Sequence, residues 1–521
     1  MIGEWCGLFC GRDLRFFLPY HFFLLSLWSR CVRHCACKTL LYIYINKKCK
    51  TKLIENIMNY DLIVIGSGPG GYVAACKGAQ MGMKTAVVER ENLGGICLNW
   101  GCIPTKALLK SAQVFNYVNH AANYGVTAQP VEADITAMVQ RSRGVAETMS
   151  KGVQFLLKKN NVDVIMGTAK VLPEHKVAVT DAEGNETIYE APHIILATGS
   201  RSRVMPSMPQ DGKHIIGYRE ALTLPFKPKK MVVCGSGAIG SEFAFFYQSI
   251  GVEVTLVEFM PQILPNEDED TAAQISRSFR KMGMKVMASS SVEKVDIDGD
   301  ICHVTIKDCK KDKEIVVDCD VVLSAVGVVT NLEGLGLEEV GIQSERGRIL
   351  VDKYYQTNVP GYYAIGDIVP GAALAHVASA EAICCVEHIG GEEPKLVNYN
   401  NIPGCTFVTP EVASVGMTEK KAVEAGKEIL VGKFFFKASG KATAAGNTDG
   451  FIKMIIDKNT DEILGAHMCG DNVTDMIAEI VAARENGLTA KQVAGAIHPH
   501  PTMSEAVMEA IEAAYGKAIH G

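Results

Sequence analysis

A run of apolar residues followed at once by a glycine-rich loop constrains the fold of this chain most strongly. The apolar run is Leu62–Ile65, and the spacing GxGxxG follows it with Gly66, Gly68 and Gly71. Glycines so placed permit a tight turn and close approach of the backbone to a pyrophosphate, which the N-terminus of the next helix faces. The next predicted strand ends at Glu89, 23 residues after Gly66 (89 − 66), near the separation of about 20 at which an acid binds a ribose. The segment predicts a dinucleotide site.

The same pattern recurs later in the chain. Residues 231–234 form a second apolar run, and the glycines that follow it are Gly235, Gly237 and Gly240. The next predicted strand ends at Glu258, again 23 residues after the first glycine (258 − 235). One glycine motif is weak evidence in a chain with 49 glycines, but two complete strand, loop, helix, strand and acid units predict an α/β fold with two Rossmann-like domains. Glu258 repels a 2′-phosphate, and no Arg or Lys stands in the next three residues, so NAD is favoured over NADP.

Two cysteines, Cys97 and Cys102, stand shortly after the first glycine motif with four residues between them. We expect that their thiols can meet only if the backbone between them is helical or nearly so. A helix N-terminus or a nearby cation such as Lys106 lowers a thiol pKa and favours the thiolate that disulfide exchange requires. The alternative is a pair of buried apolar cysteines. The neighbouring dinucleotide motif favours a redox-active disulfide.

Composition excludes several classes of protein. The 521 residues have a formal net charge of −6, which gives no basic field for nucleic acid or an anionic membrane. The 17 cysteines are too dilute and too irregular for a disulfide-stapled secreted scaffold. We therefore predict a cytoplasmic protein, with no nucleic-acid partner and no membrane partner.

Residues 1–57 differ in character from the rest, and we predict that they are a disordered extension. The apolar stretch 16–28 is interrupted and shorter than the roughly 20 residues that span a bilayer. A signal peptide is the alternative, although no small-residue cleavage site follows cleanly. Cys31, His34, Cys35 and Cys37 lack the second spaced pair of a zinc site, so no metal is predicted.

A histidine and a carboxylate stand close together near the C-terminus, in the sequence His498-Pro-His500-Pro-Thr-Met-Ser-Glu505. Histidine titrates near neutral pH, and a carboxylate can orient its ring as a base. A proline-rich surface turn would have the same composition. We favour a packing or hydrogen-bonding role for His498.

From Met58 to the C-terminus the sequence resembles the dihydrolipoamide dehydrogenases, a branch of the flavoprotein disulfide reductases in the pyridine nucleotide-disulfide oxidoreductase class I family. Besides the motifs above, the resemblance rests on residues 197–200, 324–327 and 357–367. It implies FAD in the first dinucleotide site. It also implies that Ala197, Thr198, Gly199 and Gly327 lie at crossovers between the FAD and NAD domains.

The resemblance further implies specific roles for charged residues. Asp367 would bind the flavin's ribityl chain, and Lys106 would form an ion pair with Glu242 beside the flavin. The base would be His500, with Glu505 orienting it. Because the family's site is completed across a homodimer, His500 would serve the disulfide of the other subunit.

The implied activity is oxidation of dihydrolipoamide carried on a lipoyl-bearing acyltransferase or carrier protein, as the E3 component of 2-oxo acid dehydrogenase or glycine cleavage systems. His500 would take a proton, the substrate would attack Cys97, and Cys102 would pass the electron pair to FAD and then to NAD. Two alternatives stay open: a related flavin disulfide reductase with another disulfide substrate, or a non-enzymatic flavoprotein subunit. Departures from the commonest pattern include Trp100 and Thr105.

The predicted domain order comes from these motifs and the resemblance. We expect an extension over 1–57, an FAD-binding domain over 58–203 and an NAD-binding domain over 204–330. A central domain over 331–399 and a C-terminal α+β dimerisation domain over 400–521 complete the chain.

Overall fold

The computed structural model describes residues 58–520. The chain divides into one unit that ends at Asn59, of which the two-residue strand Met58–Asn59 is described, and a second from Tyr60 onward. The prediction for residues 1–57, including the cysteine and histidine group in that segment, lies outside the described residues. The second unit contains both glycine motifs, the cysteine pair beside the first of them and the C-terminal histidines.

The first glycine motif lies at the edge of a five-stranded parallel sheet. In spatial order its strands are Tyr362–Ala364, His193–Leu196, Leu62–Ile65, Thr85–Glu89 and Asp163–Met166. Leu62–Ile65 is buried along its whole length because helices cover one face of the sheet and antiparallel strands with loops cover the other, which explains its unbroken apolar sequence. Helices Pro69–Gln80 and Ala375–Ile389 pack together against this sheet.

The second glycine motif lies at the edge of another five-stranded parallel sheet. Its strands are Ile215–Ile216, Val321–Ser324, Lys230–Cys234, Glu253–Val257 and Lys285–Met287, in spatial order. Helices Ala238–Ser249 and Glu269–Lys281 accompany it. The antiparallel strands Ser290–Asp298, Ile301–Asp308 and Lys313–Cys319 form a meander whose apolar face packs on the same sheet.

Three helices and a small sheet accompany the first parallel sheet. Helices Gly95–Trp100, Cys102–Asn119 and Ile135–Lys159 carry the predicted redox cysteines and their surroundings. Strands Thr168–Leu172, Lys176–Thr180 and Glu186–Glu190 pair in antiparallel order. Strands Ser200–Ser202 and Val328–Thr330 pair where the chain crosses between the two parallel sheets. The remaining short elements are Ala121–Tyr124, Tyr218–Leu222, Leu337–Val340, Ser344–Glu345, Arg348–Ile349 and Gly366–Ile368.

The C-terminal region is an antiparallel sheet covered by helices. Its strands, in spatial order, are Gly404–Thr406, Glu411–Gly416, Ile463–Gly470, Phe451–Asp457 and Ile429–Phe435. Its helical segments are Tyr399–Asn401, Glu419–Glu424, Phe436–Ala438, Gly440–Ala445, Val473–Glu485, Ala490–Ala494 and Glu505–Ala514. The predicted fold class is therefore confirmed: two Rossmann-like domains, a central region and a C-terminal α+β domain. The exact domain limits stay a prediction.

Candidate active site

The first glycine motif forms a cradle in which two positions accept only glycine. Gly66 has φ +100°, and a Cβ there would stand 2.3 Å from the carbonyl oxygen of Ala197. A Cβ on Gly71 would stand 1.8 Å from the Gly66 oxygen, so this glycine allows the helix to pack on the loop. Gly68 faces open space and precedes helix Pro69–Gln80, whose first N–H groups have no side-chain cap. This arrangement fits a pyrophosphate.

The second motif repeats this geometry. Gly235 has φ +94°, and a Cβ there would stand 2.4 Å from the Ala325 oxygen. A Cβ on Gly240 would stand 1.9 Å from the Gly235 oxygen, while Gly237 again faces open space. The repetition extends to the uncapped helix Ala238–Ser249. The chain therefore contains two cradles of the same construction.

The two acids that end the second strands are both buried and hydrogen-bonded to the protein. Glu89 accepts from Ser67 N and Oγ at 3.0 and 2.6 Å and from the backbone N–H groups of Arg90 and Glu91. Glu258 accepts from Ser236 N and Oγ at 2.8 and 2.7 Å and from the Met260 N–H. An ionised carboxylate offers about four acceptor sites. Glu258 therefore keeps more capacity for a ribose than Glu89, and ribose binding by either acid stays a prediction.

One cavity of about 2170 Å³ connects both cradles with the cysteine pair. A single small-molecule site usually has about 300–1,000 Å³, so this cavity offers room for two dinucleotides. The residues named from the sequence that line it are Gly66, Gly68, Glu89, Cys97, Cys102, Lys106, Ala197, Thr198, Gly199, Gly235, Gly237, Glu242, Glu258, Gly327 and Asp367. Gly71 and Gly240 lie behind it, where they pack helix against loop.

The cysteine pair lies where two helices meet. Cys97 belongs to Gly95–Trp100, Cys102 begins Cys102–Asn119, and Gly101 between them leaves helical geometry. In an uninterrupted helix residues five apart would point about 140° away from each other, so the break at Gly101 is what allows the thiols to meet. Both cysteines are free thiols here, and their pairing as a disulfide stays a prediction.

The two thiols differ in acidity. The hydrogen bond from the Cys97 thiol, assisted by the charge of Lys106, lowers the pKa of Cys102 to about 7 although burial opposes it. The same hydrogen bond and burial raise the pKa of Cys97 well above its ordinary value. Cys102 is therefore the thiolate of the pair near neutral pH, and Cys97 holds the proton.

Lys106 and the buried Glu242 form an ion pair beside these thiols. Lys106 Nζ lies 2.9 and 2.8 Å from the two carboxylate oxygens of Glu242, of which one also accepts the Phe407 N–H at 3.0 Å. The Lys106 ammonium also lies 4.4 Å from the centre of the Phe407 ring. Sequence reasoning missed Phe407, because its contribution is a backbone N–H brought in from the C-terminal region.

Asp367 lies in the short helical turn Gly366–Ile368 on the cavity wall. Ser200 Oγ donates to its Oδ2 at 2.5 Å, and the Gly366 N–H donates to the buried Glu381 at 2.6 Å. Neither Ser200 nor Glu381 was singled out from the sequence as a supporting residue. Beside this turn, Asn331 Nδ2 donates to the Thr198 carbonyl, which holds the two crossover segments together.

Trp100 lies between two arginines. The guanidinium groups of Arg143 and Arg219 lie 4.2 and 5.0 Å from its ring centre, and its indole N–H donates to Glu91. Thr105 Oγ1 donates to the Gly101 carbonyl at 2.7 Å. Trp100 thus ties the first cysteine helix to neighbouring segments, whereas Thr105 bonds within the first turn of its own helix.

His500 and Glu505 are paired but do not line the cavity of their own chain. His500 Nδ1 lies 2.8 Å from Glu505 Oε1, and the other Glu505 oxygen accepts the Thr502 N–H at 2.7 Å. Burial opposes ionisation of Glu505, but these two hydrogen bonds lower its pKa. The His500 side chain is 78% exposed. By contrast, the His498 ring is buried between Glu479 and the Ala496 carbonyl, as a hydrogen-bonding residue.

Comparison with known proteins agrees with this architecture. Residues 60–382 match the family model described as pyridine nucleotide-disulphide oxidoreductase, and residues 402–511 match the dimerisation domain of the same family. The chain belongs to the pyridine nucleotide-disulphide oxidoreductase family. The dimerisation domain supports a homodimer.

Proteins named dihydrolipoyl dehydrogenase are similar to most of this chain. A dihydrolipoyl dehydrogenase from Zymomonas mobilis is 46% identical over 465 residues, which is 89% of this chain and 99% of the relative. One from Rhizobium etli is 46% identical over 480 residues, with the same two shares. Among solved structures, LpdA from Mycobacterium tuberculosis is 26% identical, covers 88% of this chain and 99% of its own, and has a TM-score of 0.81.

Residues 58–520 lack two kinds of feature. Within this range no helix has the length and apolar character to cross a membrane. The same residues contain no group of three or more His, Cys, Asp or Glu side chains arranged to hold a metal ion.

Proposed function

We infer that this protein is an FAD-dependent dihydrolipoyl dehydrogenase that reduces NAD. The observation that carries this inference is one cavity that connects two dinucleotide cradles to a thiol pair, in a chain 46% identical to dihydrolipoyl dehydrogenases over nearly their full length. The cofactors are FAD and NAD. Bound FAD supplies a two-electron carrier between a dithiol and a nicotinamide.

We propose that Cys97 exchanges with the substrate and that Cys102 faces the flavin. A substrate thiolate attacks the Cys97 sulfur of the Cys97–Cys102 disulfide, which forms a mixed disulfide and releases Cys102 as a thiolate. The second substrate thiol then attacks its own sulfur in that mixed disulfide, so the substrate closes to a cyclic disulfide and Cys97 leaves. The pKa of Cys102, about 7, and the ammonium of Lys106 support this assignment, because a good leaving thiolate has a low pKa.

We propose that His500 removes the substrate proton, with Glu505 holding its ring. The His500–Glu505 distance of 2.8 Å supports the pairing. His500 is exposed and does not line its own chain's cavity, so in a homodimer it is free to serve the partner subunit's Cys97. The glycine cradles would hold the pyrophosphates, Asp367 the ribityl chain, and Glu89 and Glu258 the riboses.

The proposed activity requires a carrier for the substrate and a compartment in which both proteins meet. We propose that the dithiol arrives on a lipoyl-bearing acyltransferase or carrier protein in the cytoplasm. The cysteines of the sequence are too dilute and irregular for a disulfide-stapled secreted scaffold, which supports a reducing compartment. A relative from pea, 41% identical, is named mitochondrial. Cell fractionation therefore tests whether this protein lies in the cytoplasm or in mitochondria.

The deciding experiment measures NADH formation by the purified FAD-bound protein with free dihydrolipoamide. Turnover with NAD that exceeds turnover with NADP supports the proposal, and replacing free dihydrolipoamide by candidate lipoyl proteins then identifies the carrier. Turnover with another dithiol but not with dihydrolipoamide would favour a different disulfide reductase. A protein that binds FAD and turns over neither would favour a non-enzymatic subunit.

A further inference from the structure

A second pair of neighbouring thiols lies in the meander of the second nucleotide domain. Cys302 and Cys319 face each other directly in the register of strands Ile301–Asp308 and Lys313–Cys319. Their relative exposures are 0% and 3%, and neither lines the cavity of the candidate active site. The proposed activity therefore does not use them.

The backbone already places these two cysteines at a distance that a disulfide spans. Directly opposed residues of antiparallel strands have Cα atoms about 4.5–5.5 Å apart, and a disulfide needs about 4.4–6.8 Å. The thiols are also hydrogen-bonded to each other. Closing a bond between Cys302 and Cys319 therefore requires side-chain rotation but no change of strand register.

The pair shows the same difference in acidity as the cysteines of the candidate active site. The hydrogen bond from Cys319 lowers the pKa of Cys302, although burial and the nearby Asp211 and Asp320 oppose it. The pKa of Cys319 is raised by that hydrogen bond and by burial. Cys302 is therefore the more nucleophilic thiol. Cys319 is placed to attack the Cys302 sulfur in a second step.

Two backbone carbonyls cover Cys302, and the hairpin tip beside it is held by an exposed ion pair. The Cys302 sulfur lies 3.9 Å from the His214 carbonyl oxygen and 3.8 Å from that of Asp320. The segment around His214 is tied to the hairpin tip by Lys213 and Asp300, 2.9 Å apart, whose side chains are 66% and 90% exposed.

The segment around His214 is itself anchored, because the N–H groups of residues 213–215 donate to Asp211 and the His214 carbonyl accepts the Val322 N–H at 2.7 Å. The exposed ion pair contributes little to stability, so Cys302 becomes accessible when the hairpin tip opens away from this segment.

We propose that Cys302 and Cys319 form a second thiol–disulfide couple, which exchanges with small disulfides. The Cys302 thiolate attacks one sulfur of the small disulfide, forms a mixed disulfide with it and releases the other half as a thiolate. Cys319 then attacks the Cys302 sulfur, its proton passes to the departing group, and the second half leaves as a thiol. Two cysteine thiols are oxidised, and one small disulfide is reduced to two thiols.

The test uses the full FAD-bound chain, incubated with glutathione disulfide, then alkylated under denaturing conditions and mapped as peptides by mass spectrometry. We expect a cross-linked peptide that joins Cys302 to Cys319 and disappears after reduction by dithiothreitol. In Cys319→Ser, which keeps an O–H donor beside Cys302, the reaction should stop at one glutathionyl group on Cys302. In Cys302→Ser the glutathionyl label on Cys319 should be at least about tenfold lower than the label on Cys302 in Cys319→Ser. The reason is that the thiolate fraction falls tenfold for each unit by which a pKa is raised.

Two other cysteines serve as controls in the same digest. Cys309 is exposed and should be labelled in every variant, whereas the isolated, buried Cys234, whose pKa burial raises to about 12, should stay free. The proposal is overturned if Cys309 is labelled while Cys302 and Cys319 remain free in the wild-type chain and in Cys319→Ser. Equal labelling of Cys302 and Cys234 would also overturn it, because it would indicate general unfolding.

Discussion

Lys106 and Glu242 are joined by two hydrogen bonds of 2.9 and 2.8 Å, and the same carboxylate accepts the backbone N–H of Phe407. The pair thus links helices Cys102–Asn119 and Ala238–Ser249 to the start of the C-terminal region. Because Glu242 is buried, its carboxylate depends on these two donors to compensate for its own desolvation.

Removing the Glu242 carboxylate should therefore destabilise the protein. We expect Glu242→Ala to cost about 1–3 kcal/mol, since it leaves the Phe407 N–H without its acceptor and the partly exposed Lys106 ammonium without its partner. Glu242→Gln keeps an acceptor and should cost less, about 0.5–1.5 kcal/mol. Urea denaturation of the FAD-bound protein, followed by tryptophan fluorescence, measures both. Equal and negligible losses would show that the pair is not important for stability.

The acidity of Cys102 should depend on Cys97 first and on Lys106 second. At a pKa of about 7 half of Cys102 is thiolate at pH 7, whereas an ordinary thiol of pKa 8.5 is about 3% ionised. Cys97→Ala removes the hydrogen bond and should raise the pKa most, and Lys106→Met should raise it less. Cys97→Ser keeps a donor and should change it least. The pH dependence of Cys102 alkylation in the reduced enzyme gives each value, and one pKa common to all variants would contradict this order.

Replacement of the proposed base should slow the thiol chemistry selectively. We expect His500→Gln to cut dihydrolipoamide oxidation by about two to four orders of magnitude, the range that a general base supplies. NADH-driven reduction of an artificial dye does not need the base and serves as the control. A comparable loss in both assays would indicate misfolding instead.

A site shared between two subunits leads to a second prediction about His500. Heterodimers formed from inactive Cys97→Ser and His500→Gln chains should regain one working site each, because one of the two sites then contains an intact Cys97 and an intact His500. Absence of activity in verified heterodimers would exclude a site completed across the dimer.

Two glycines of the second cradle should respond differently to alanine. A Cβ at Gly240 would stand 1.9 Å from a backbone oxygen, so Gly240→Ala should lower the melting temperature and the yield of folded protein. A Cβ at Gly237 would enter open space, so Gly237→Ala should fold normally and retain FAD. Because that space is where we place the NAD pyrophosphate, the variant should bind NAD more weakly. Calorimetry and NADH titration separate the two effects, and equal melting temperatures would contradict the packing argument.

Local sequence patterns predicted the two parallel-sheet domains because strand, glycine loop, helix and acid succeed one another without interruption. The break at Gly101 was not predicted, since the spacing of Cys97 and Cys102 indicated a helical connection. The roles of Phe407 and Glu381 depend on contacts between distant segments, and no local pattern reports them. The pairing of Cys302 with Cys319 likewise depends on strand register, which sequence spacing did not define.

Strand Tyr362–Ala364 completes the first parallel sheet beside His193–Leu196, although 166 residues separate Leu196 from Tyr362 (362 − 196). At about 5–20 residues per second, a ribosome needs about 8–33 seconds to make that stretch. The second parallel sheet has all its strands once Ser324 has emerged. The second parallel sheet can therefore be assembled on the ribosome before the first, whose edge at His193–Leu196 stays open through that interval.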